Sequence, residues 1–485
     1  MITAISWVPR GAARTVPIEA EPPTQEEIEE AKKSISLGRA GGDADDAEGD
    51  EDDGDMELDD EDEVDEVAQA RAAAKALGKG SSAAVGDISD GLAELNMDAY
   101  DEEEDELEVF STGLGDLYYK DNEDDPYIIK KNGDDDEDDD DDSEIEDMTI
   151  KPTDIVLVCA HNEDEFNSLQ VSIVEELEDG DPNMFVHHEV PLSDFPLCTE
   201  WMDFNRENGD EKGNFIAVGT MSAIIEIWNL DIVDEVEPHA VLGALSKKQI
   251  KGKKPRYKKR NSHKNSVLGL AWNAVVRNVL ASSSADKTIR LWDLSTGQCA
   301  VTLQHHDGKV QSVAWRSPEV LLSGSFDKSV IMSDMRDNGQ TYHKWAVEAD
   351  VESLVCDPHN EHSFLVSLDN GMVQAFDTRT ASSNSISGQP TFTLHAHNKA
   401  ASAISFCPSK PNFIATGGTD KMVKLWDISN NQPSCVASLN AKLGAVFTVS
   451  FCNDSPFLLA CGGSKGKLKV WNTLSEPAVA NKFGK

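Results

Sequence analysis

The sequence of 485 residues lacks the features that mark secreted and membrane proteins. It has no basic start followed by an apolar core, so we expect no secretory signal. Its longest apolar run, around Asp154 to Ala160, is far too short to cross a bilayer. None of its eight cysteines forms a C-x-x-C pair and all lie at or after Cys159, which favours buried reduced thiols over metal ligation. We therefore expect an intracellular protein with no membrane partner.

Catalytic and cofactor motifs are also lacking. No Ser, Cys or Thr nucleophile is paired with a recognisable base, and the long Asp runs lack the Gly of an EF-hand loop. The adjacent residues His187 and His188 lie in a predicted strand, where neighbouring side chains point to opposite faces and so would not share a metal. The sequence predicts a protein that is not an enzyme and has no cofactor, metal or catalytic residue.

Basic residues are scarce between residues 41 and 150, where 45 Asp or Glu stand against 6 Lys or Arg. The net charge of −39 in this segment accounts for most of the −47 of the whole chain. Such a segment cannot bury enough apolar surface to collapse, so we expect a disordered acidic insertion. It is suited to salt-dependent contact with basic proteins such as ribosomal proteins or histones, or else it only confers solubility. Ser143, within DDSEIED, is a candidate phosphorylation site for an acid-directed kinase.

The C-terminal part contains an internal repeat. From His263 it is 23 residues to Asp286 and a further 6 to Trp292, and the copy that begins at His397 has the same two spacings. This pattern resembles the WD40 repeat, in which four strands form one blade of a β-propeller. In such repeats the His bridges the turn Asp and a Ser or Thr, and the Trp caps the network, so we interpret these residues as structural rather than catalytic. The predicted blade network consists of His263, Asp286, Trp292, His306, Asp327, His397, Asp420 and Trp426.

Degenerate copies extend the repeat to six complete blades and one that lacks its innermost strand. The opening stretch ITAISWVPRG alternates like the missing strand, and Trp7 aligns with Trp272 and Trp315. We predict that it pairs with Asp154 to Ala160, because the cost of closing a loop grows only slowly with its length. The alternative is a frayed terminus beside a ring that closes in another way.

The predicted fold is therefore all-β, a seven-bladed WD40 β-propeller with a long disordered acidic insertion near the N-terminus. We assign residues 1–12 to the first strand of blade 1, 13–40 to a linker with a short helix, 41–150 to the acidic insertion and 151–485 to the propeller.

The segment 247–264 is strongly basic, with ten Lys or Arg and no acid. It could contact phosphates by releasing counterions, or act as a nuclear-import signal. The alternatives are a solvated loop, or one that folds onto the acidic insertion. The candidate residues for RNA binding or nuclear import are Lys247, Lys248, Lys251, Lys253, Lys254, Arg256, Tyr257, Lys258, Lys259 and Arg260.

Beyond the repeat, several stretches resemble the periodic tryptophan protein 1 family over essentially the whole chain. They are ITAISWVPRG, the acidic region, NEDDPYI, VHHEVPLSDFPLCTEWMDF and GNFIAVGTMSAIIEIWNLDIVD. The resemblance implies a nuclear and nucleolar scaffold in ribosome biogenesis, which acts in rRNA processing and in assembly of the large-subunit precursor. It implies ribosome assembly factors, the pre-60S particle and pre-rRNA as partners. The alternative that it implies is a chromatin- or histone-binding regulator of ribosomal-gene transcription.

Overall fold

The structure is a computed structural model. It describes residues 1–20, 148–163, 166–176, 182–206, 209, 211–243, 262–380 and 389–484. The predicted helix within the linker, residues 41–147 of the acidic insertion, Ser143, and residues 247–261 of the basic loop lie outside the described residues.

The described residues form seven antiparallel sheets arranged as the blades of a propeller, which confirms the predicted all-β class and blade number. The strands are β1 (Ile2–Val8), β2 (Ile18–Glu19), β3 (Ile155–Glu163), β4 (Phe166–Glu176), β5 (Pro182–Pro191), β6 (Pro196–Phe204), β7 (Lys212–Thr220), β8 (Ile225–Asn229), β9 (Ile232–Val233), β10 (Ala240–Leu242), β11 (Val267–Trp272), β12 (Val279–Ser284), β13 (Ile289–Asp293), β14 (Gln298–Leu303), β15 (Val310–Ser317), β16 (Val320–Ser325), β17 (Ser329–Asp334), β18 (Tyr342–Ala346), β19 (Val351–Cys356), β20 (Ser363–Leu368), β21 (Met372–Asp377), β22 (Phe392–His395), β23 (Ala403–Phe406), β24 (Phe413–Gly417), β25 (Val423–Asp427), β26 (Ser434–Leu439), β27 (Val446–Phe451), β28 (Leu458–Gly463) and β29 (Leu468–Asn472). The described helical elements are the 3-10 turns Met335–Asp337, Thr378–Thr380, Ser429–Asn431 and Thr473–Ser475 and the helix α1 (Pro477–Phe483).

From the innermost strand outwards, the blades are β1-β3-β4-β5, β6-β7-β8-β10, β11 to β14, β15 to β18, β19 to β22, β23 to β26 and β27 to β29. Each innermost strand contacts the innermost strand of the next blade, and β27 of blade 7 contacts β1 of blade 1, so the ring is closed. We call the face where the innermost strands begin the N-face, and the face where they end the C-face.

The opening strand β1 occupies the predicted vacancy in blade 1. It pairs antiparallel with β3, with Trp7 opposite Leu157. Trp7 Nε1 also donates to Ser450 O of blade 7 at 3.1 Å, just as Trp315 Nε1 donates to Ala271 O of its preceding blade at 3.0 Å. The predicted pairing is confirmed, and β1 makes the same contact with its neighbour across the closure as an internal blade makes.

The last blade differs from the expectation of a complete sheet, because no described strand pairs with the outer edge of β29. After β29 the chain makes a 3-10 turn and enters α1, which begins at Pro477. Proline lacks an N–H and suits the first turn of a helix rather than a strand. Val479 of α1 is fully buried, and Phe483 stacks on Phe413 of blade 6 with ring centroids 4.4 Å apart.

The apolar core lies between neighbouring blades, where large side chains fill the space that diverging sheets leave. Blade 4 has Ser333 where blades 2, 3, 5, 6 and 7 have an aromatic residue in the third strand. The fully buried Trp345 of its outer strand packs edge-on against Phe364 of blade 5, with ring centroids 5.2 Å apart. Phe364 in turn stacks on Phe376. The sequence analysis did not identify Trp345 as a core residue.

The eight cysteines are all free thiols. Five are buried, and burial raises the pKa of the thiols of Cys159 and Cys461 to about 12. Cys435 is exposed, so the expectation of buried thiols does not hold for every cysteine. Within the described ranges, no three His, Cys, Asp or Glu residues are grouped as metal ligands, and no helix is long and apolar enough to span a membrane.

Candidate functional site: the two faces of the propeller

The predicted blade residues form a directional chain of hydrogen bonds in blade 3. Trp292 Nε1 donates to Ser282 Oγ at 2.8 Å, the Ser282 hydroxyl donates to His263 Nε2 at 2.7 Å, and His263 Nδ1 donates to Asp286 at 3.0 Å. Blade 6 repeats this chain through Trp426, Thr416, His397 and Asp420 at 2.9, 2.8 and 2.9 Å. Each buried polar group has a partner, so the chain fixes the geometry of its blade.

The protonation states agree with these bond directions. Burial lowers the pKa of His263, against the opposing effect of the Asp286 carboxylate, so the imidazole is neutral near pH 7. Burial by itself would raise the pKa of Asp286, but hydrogen bonds from His263, the Lys264 N–H and Thr288 hold it below its usual range. The Ser282 hydroxyl is fully buried and already bonded on both sides, so the arrangement offers no free nucleophile.

Blade 4 contains a shorter version of the network. His306 Nδ1 donates to Asp327 at 2.9 Å, and the Ser323 hydroxyl bonds His306 Nε2 at 2.9 Å. No indole caps this serine among its described contacts, since Ser333 stands at the tryptophan position.

Blade 2 has a network that the sequence analysis missed. Glu226, only 2 % exposed, accepts from Trp228 Nε1 at 3.2 Å and from the hydroxyl of Ser193. The signal was present as a single acid among the apolar residues Ile224 to Trp228. A carboxylate on the third strand thus accepts the indole N–H that a serine or threonine on the second strand accepts in blades 3 and 6.

The two adjacent histidines of blade 1 contradict the expectation that they point apart. A β-bulge opposite Val171 and Ser172 brings the Nδ1 atoms of His187 and His188 to 2.8 Å. His187 Nε2 also bonds Met148 O at 2.9 Å, and burial together with His187 lowers the pKa of His188 to about 4. The pair therefore holds the point where the chain returns from the acidic insertion.

Both ends of the segment that contains the acidic insertion are fixed at the C-face. β2 pairs in parallel with β9 of blade 2, and Ala20 N donates to Val233 O at 3.0 Å. On the return, Ile150 N donates to Thr15 O at 2.8 Å. We call this closed pair of ends the acidic neck.

The basic segment leaves and re-enters the propeller at one point of the N-face, between β10 and β11. Gly243 has a positive φ of 81°, and a Cβ on it would lie 3.1 Å from Ser262 Cβ, so the two residues are in contact. We call this contact the basic neck. The predicted RNA-binding or import residues between them, Lys247 to Arg260, lie outside the described residues.

A cavity of about 550 Å³ opens at the C-face end of the central channel, lined by six of the seven blades. Near the ends of the innermost strands, equivalent positions carry aromatic residues in six blades and a cysteine in blade 5. They are Trp7, Trp201, Trp272, Trp315, Cys356, Phe406 and Phe451. Trp201 and Trp272 meet edge to face with centroids 6.0 Å apart. We call this cavity the aromatic mouth.

Glu200 is the only charged side chain among the described residues that line the aromatic mouth. It accepts from the backbone N–H of Trp272 at 3.1 Å. Burial raises the pKa of Glu200 to about 7, against the effect of that hydrogen bond. The equivalent positions of the other blades carry small or aliphatic residues: Ser6, Ala271, Ala314, Val355, Ser405 and Ser450.

Comparison with known proteins identifies both repeats and relatives. The family description "WD domain, G-beta repeat" matches residues 255–293, 297–334, 388–427 and 433–472. "Periodic tryptophan protein 1" of Saccharomyces cerevisiae is 31% identical over 508 aligned residues, covering 92% of this chain and 83% of the yeast protein. An uncharacterised WD repeat-containing protein of Schizosaccharomyces pombe is 37% identical, covering 74% of this chain and 69% of the other. The "Periodic tryptophan protein 1 homolog" of Drosophila melanogaster is 32% identical, covering 62% and 63% respectively.

Taken with these relatives, the propeller supports a role in protein–protein interaction and scaffolding. The histidine networks hold the blades, while the two necks and the aromatic mouth are the features that face outwards.

Proposed function

Because the chain belongs to the periodic tryptophan protein 1 family of WD40-repeat proteins, we propose that it is a non-catalytic scaffold in ribosome biogenesis. Its task is assembly of the large ribosomal subunit precursor in the nucleolus, including rRNA processing. Its partners are ribosome assembly factors, the pre-60S particle and pre-rRNA.

The observation that carries this proposal is the separation of the two charged segments. The acidic neck lies at the C-face, and the basic neck lies at the N-face between β10 and β11. The segment suited to basic proteins is thereby attached to the ring at one face, and the segment suited to phosphates is attached at the other. Precursor ribosomes contain both classes of partner, which is why a bipolar scaffold fits them.

Affinity purification of the full tagged chain at moderate salt tests this function. We expect large-subunit precursors with pre-rRNA to copurify, and to be lost as salt is raised because the contacts are electrostatic. Recovery of nucleosomes without pre-rRNA would overturn the proposal in favour of the chromatin- or histone-binding alternative.

Crosslinking to RNA tests the basic segment on its own. Replacement of the nine Lys and Arg residues between 247 and 260 with Gln should remove most of the crosslinked RNA. The matched control replaces exposed N-face lysines outside the segment, Lys399, Lys421 and Lys442, and should retain it. Equal crosslinking by the two variants would contradict a role for the segment in RNA contact.

A further inference from the structure

We propose that the aromatic mouth is a binding site for an arginine side chain from a basic segment of a partner protein. This inference deepens the proposed scaffold function, because it names the chemistry of one partner and the site that receives it.

The first argument is the placement of Glu200. The other six blades have small or aliphatic residues at the position equivalent to Glu200, so closure of the ring does not require a carboxylate there. A carboxylate that lacks full hydration destabilises the fold unless something compensates it. The backbone N–H of Trp272 is the one hydrogen-bond donor described for it. Placement of an acid at this point is understandable if a cation arrives from outside.

The second argument is what surrounds the carboxylate. The indole N–H groups of Trp7, Trp201 and Trp272 are bonded within the protein, to Ser450 O at 3.1 Å, Asn214 Oδ1 at 2.9 Å and Arg277 O at 2.8 Å. These tryptophans can therefore offer the cavity only ring surface. Ring surface attracts cations, and a guanidinium stacks on it while its N–H groups bond a carboxylate.

The third argument is size and access. A cavity of about 550 Å³ has room for a long side chain, and it opens to solvent at the C-face. Pro9, which lines the mouth, directly follows β1 on the path to the acidic neck. The polypeptide that leads to the acidic segment thus leaves the ring at this opening.

The test uses the full chain labelled with 5-fluorotryptophan and observed by ¹⁹F NMR at 0.15 M salt. The probe is the blocked peptide Gly-Ser-Arg-Ser-Gly, whose single charge limits its attraction to the acidic insertion. The comparison peptide has citrulline, which keeps the shape of arginine but is neutral. We expect the resonances of Trp201 and Trp272, assigned with single Trp→Phe variants, to shift with the arginine peptide alone.

Two variants make the test specific. Glu200→Gln should lower the affinity for the arginine peptide by about tenfold or more, since a charge-assisted hydrogen bond is lost. Glu352→Gln is the matched control, because burial together with Asp369 and Asp350 also raises the pKa of Glu352 to about 7, but it does not line the mouth. Equal binding by Glu200→Gln, equal binding of the citrulline peptide, or equal losses in both variants would each overturn the proposal.

Failure here is distinguishable from failure of the scaffold function. Peptide binding is measured on the purified chain, whereas copurification of large-subunit precursors is measured from cells. If the native chain does not bind the arginine peptide but still copurifies large-subunit precursors, the arginine site is rejected and the scaffold function is retained.

Discussion

At the scale of single residues, the propeller places ionisable side chains in two different settings. His263 and Asp286 are buried polar groups with every partner present, and their role ends with the geometry of blade 3. Glu200 is a charged group with one described donor, at a position where neighbouring blades avoid charge. Residue type therefore does not separate structural from functional groups here. The two kinds of group differ instead in how completely they are hydrogen-bonded.

The histidine networks predict a two-step loss of stability in acid. Each histidine of the unfolded chain takes up a proton near pH 6.5. In the folded chain the pKa values of His263 and His397 are lowered, so these two side chains bind protons less readily. The free energy of unfolding should therefore fall below pH 6.5. A second loss should follow below pH 3.8, because the folded pKa values of Asp286, Asp327 and Asp420 are also lowered. Urea unfolding between pH 8 and pH 3 measures both steps.

A histidine variant isolates the first step. His263→Gln should be less stable than the native chain at pH 8 but lose less on going to pH 5, since one titrating group is gone. The exposed His395→Gln, which lies outside the networks, serves as the control. An unchanged slope in His263→Gln would contradict the assignment of a neutral buried imidazole.

The raised pKa of Glu200 predicts that replacing this residue stabilises the fold. Its folded pKa of about 7 lies above its ordinary value of 4.5, so ionisation opposes folding as the pH rises through this window. Glu200→Gln should raise the free energy of unfolding by about 1 to 3 kcal/mol at pH 8. The gain should vanish near pH 4, where both states carry a proton. A gain that is independent of pH would point to packing instead.

At the scale of elements, β1 is the strand on which the ring depends. It is shared between blade 1, through β3, and blade 7, through the bond from Trp7 to Ser450. Removal of residues 1–12 should therefore lower the thermal midpoint strongly, because it exposes the inner edge of β3 and removes the buried side chains of Ile2 and Val8. Deletion of residues 41–110, which leaves both necks intact, should change it little.

Calorimetry of the two deletion variants distinguishes the cases. The internal deletion is the control, since it removes more residues without touching a described strand. Comparable midpoints for both variants would show that β1 is dispensable for closing the ring.

The elements also show how far sequence reasoning reaches. β1 and the chain from Trp292 to Asp286 were predictable, because an alternating strand and three spaced residue types are local patterns. The His187 bulge and the burial of Trp345 were not, because both depend on register and packing between strands. The significance of Glu200 became visible only when equivalent positions around the ring could be compared in three dimensions. The role of the basic segment in RNA binding or nuclear import stays a prediction.

At the scale of the whole molecule, the acidic neck fixes both ends of the segment between β2 and Ile150. The ring therefore does not depend on that segment being covalently continuous. A specific protease site inserted between Gly80 and Ser81 should, when cut, give two fragments that remain together in size-exclusion chromatography. The N-terminal fragment is held by the ladder between β1 and β3 and by the pairing of β2 with β9.

A variant weakens that hold selectively. Ile5→Asp places a charge at a position only 9% exposed between β1 and the blade 7 core, and should release the fragment after cleavage. The exposed Arg14→Ala, beyond the end of β1, should retain it. Dissociation of the native fragments on cleavage would show that the covalent link, rather than the strand, holds the N-terminus.

The position of β1 has a consequence for how the protein is made. This strand is translated before the rest of the propeller, its partner β3 follows only after some 140 further residues, and its other neighbour, β27, belongs to the last blade of the ring. Blades 2 to 6 can form during translation, but the ring cannot close before blade 7 emerges. A chain that stalls short of blade 7 leaves the bond from Trp7 to Ser450 unmade and an apolar blade edge exposed to chaperones and proteases. Closure of the ring thus requires that blade 7 has been translated.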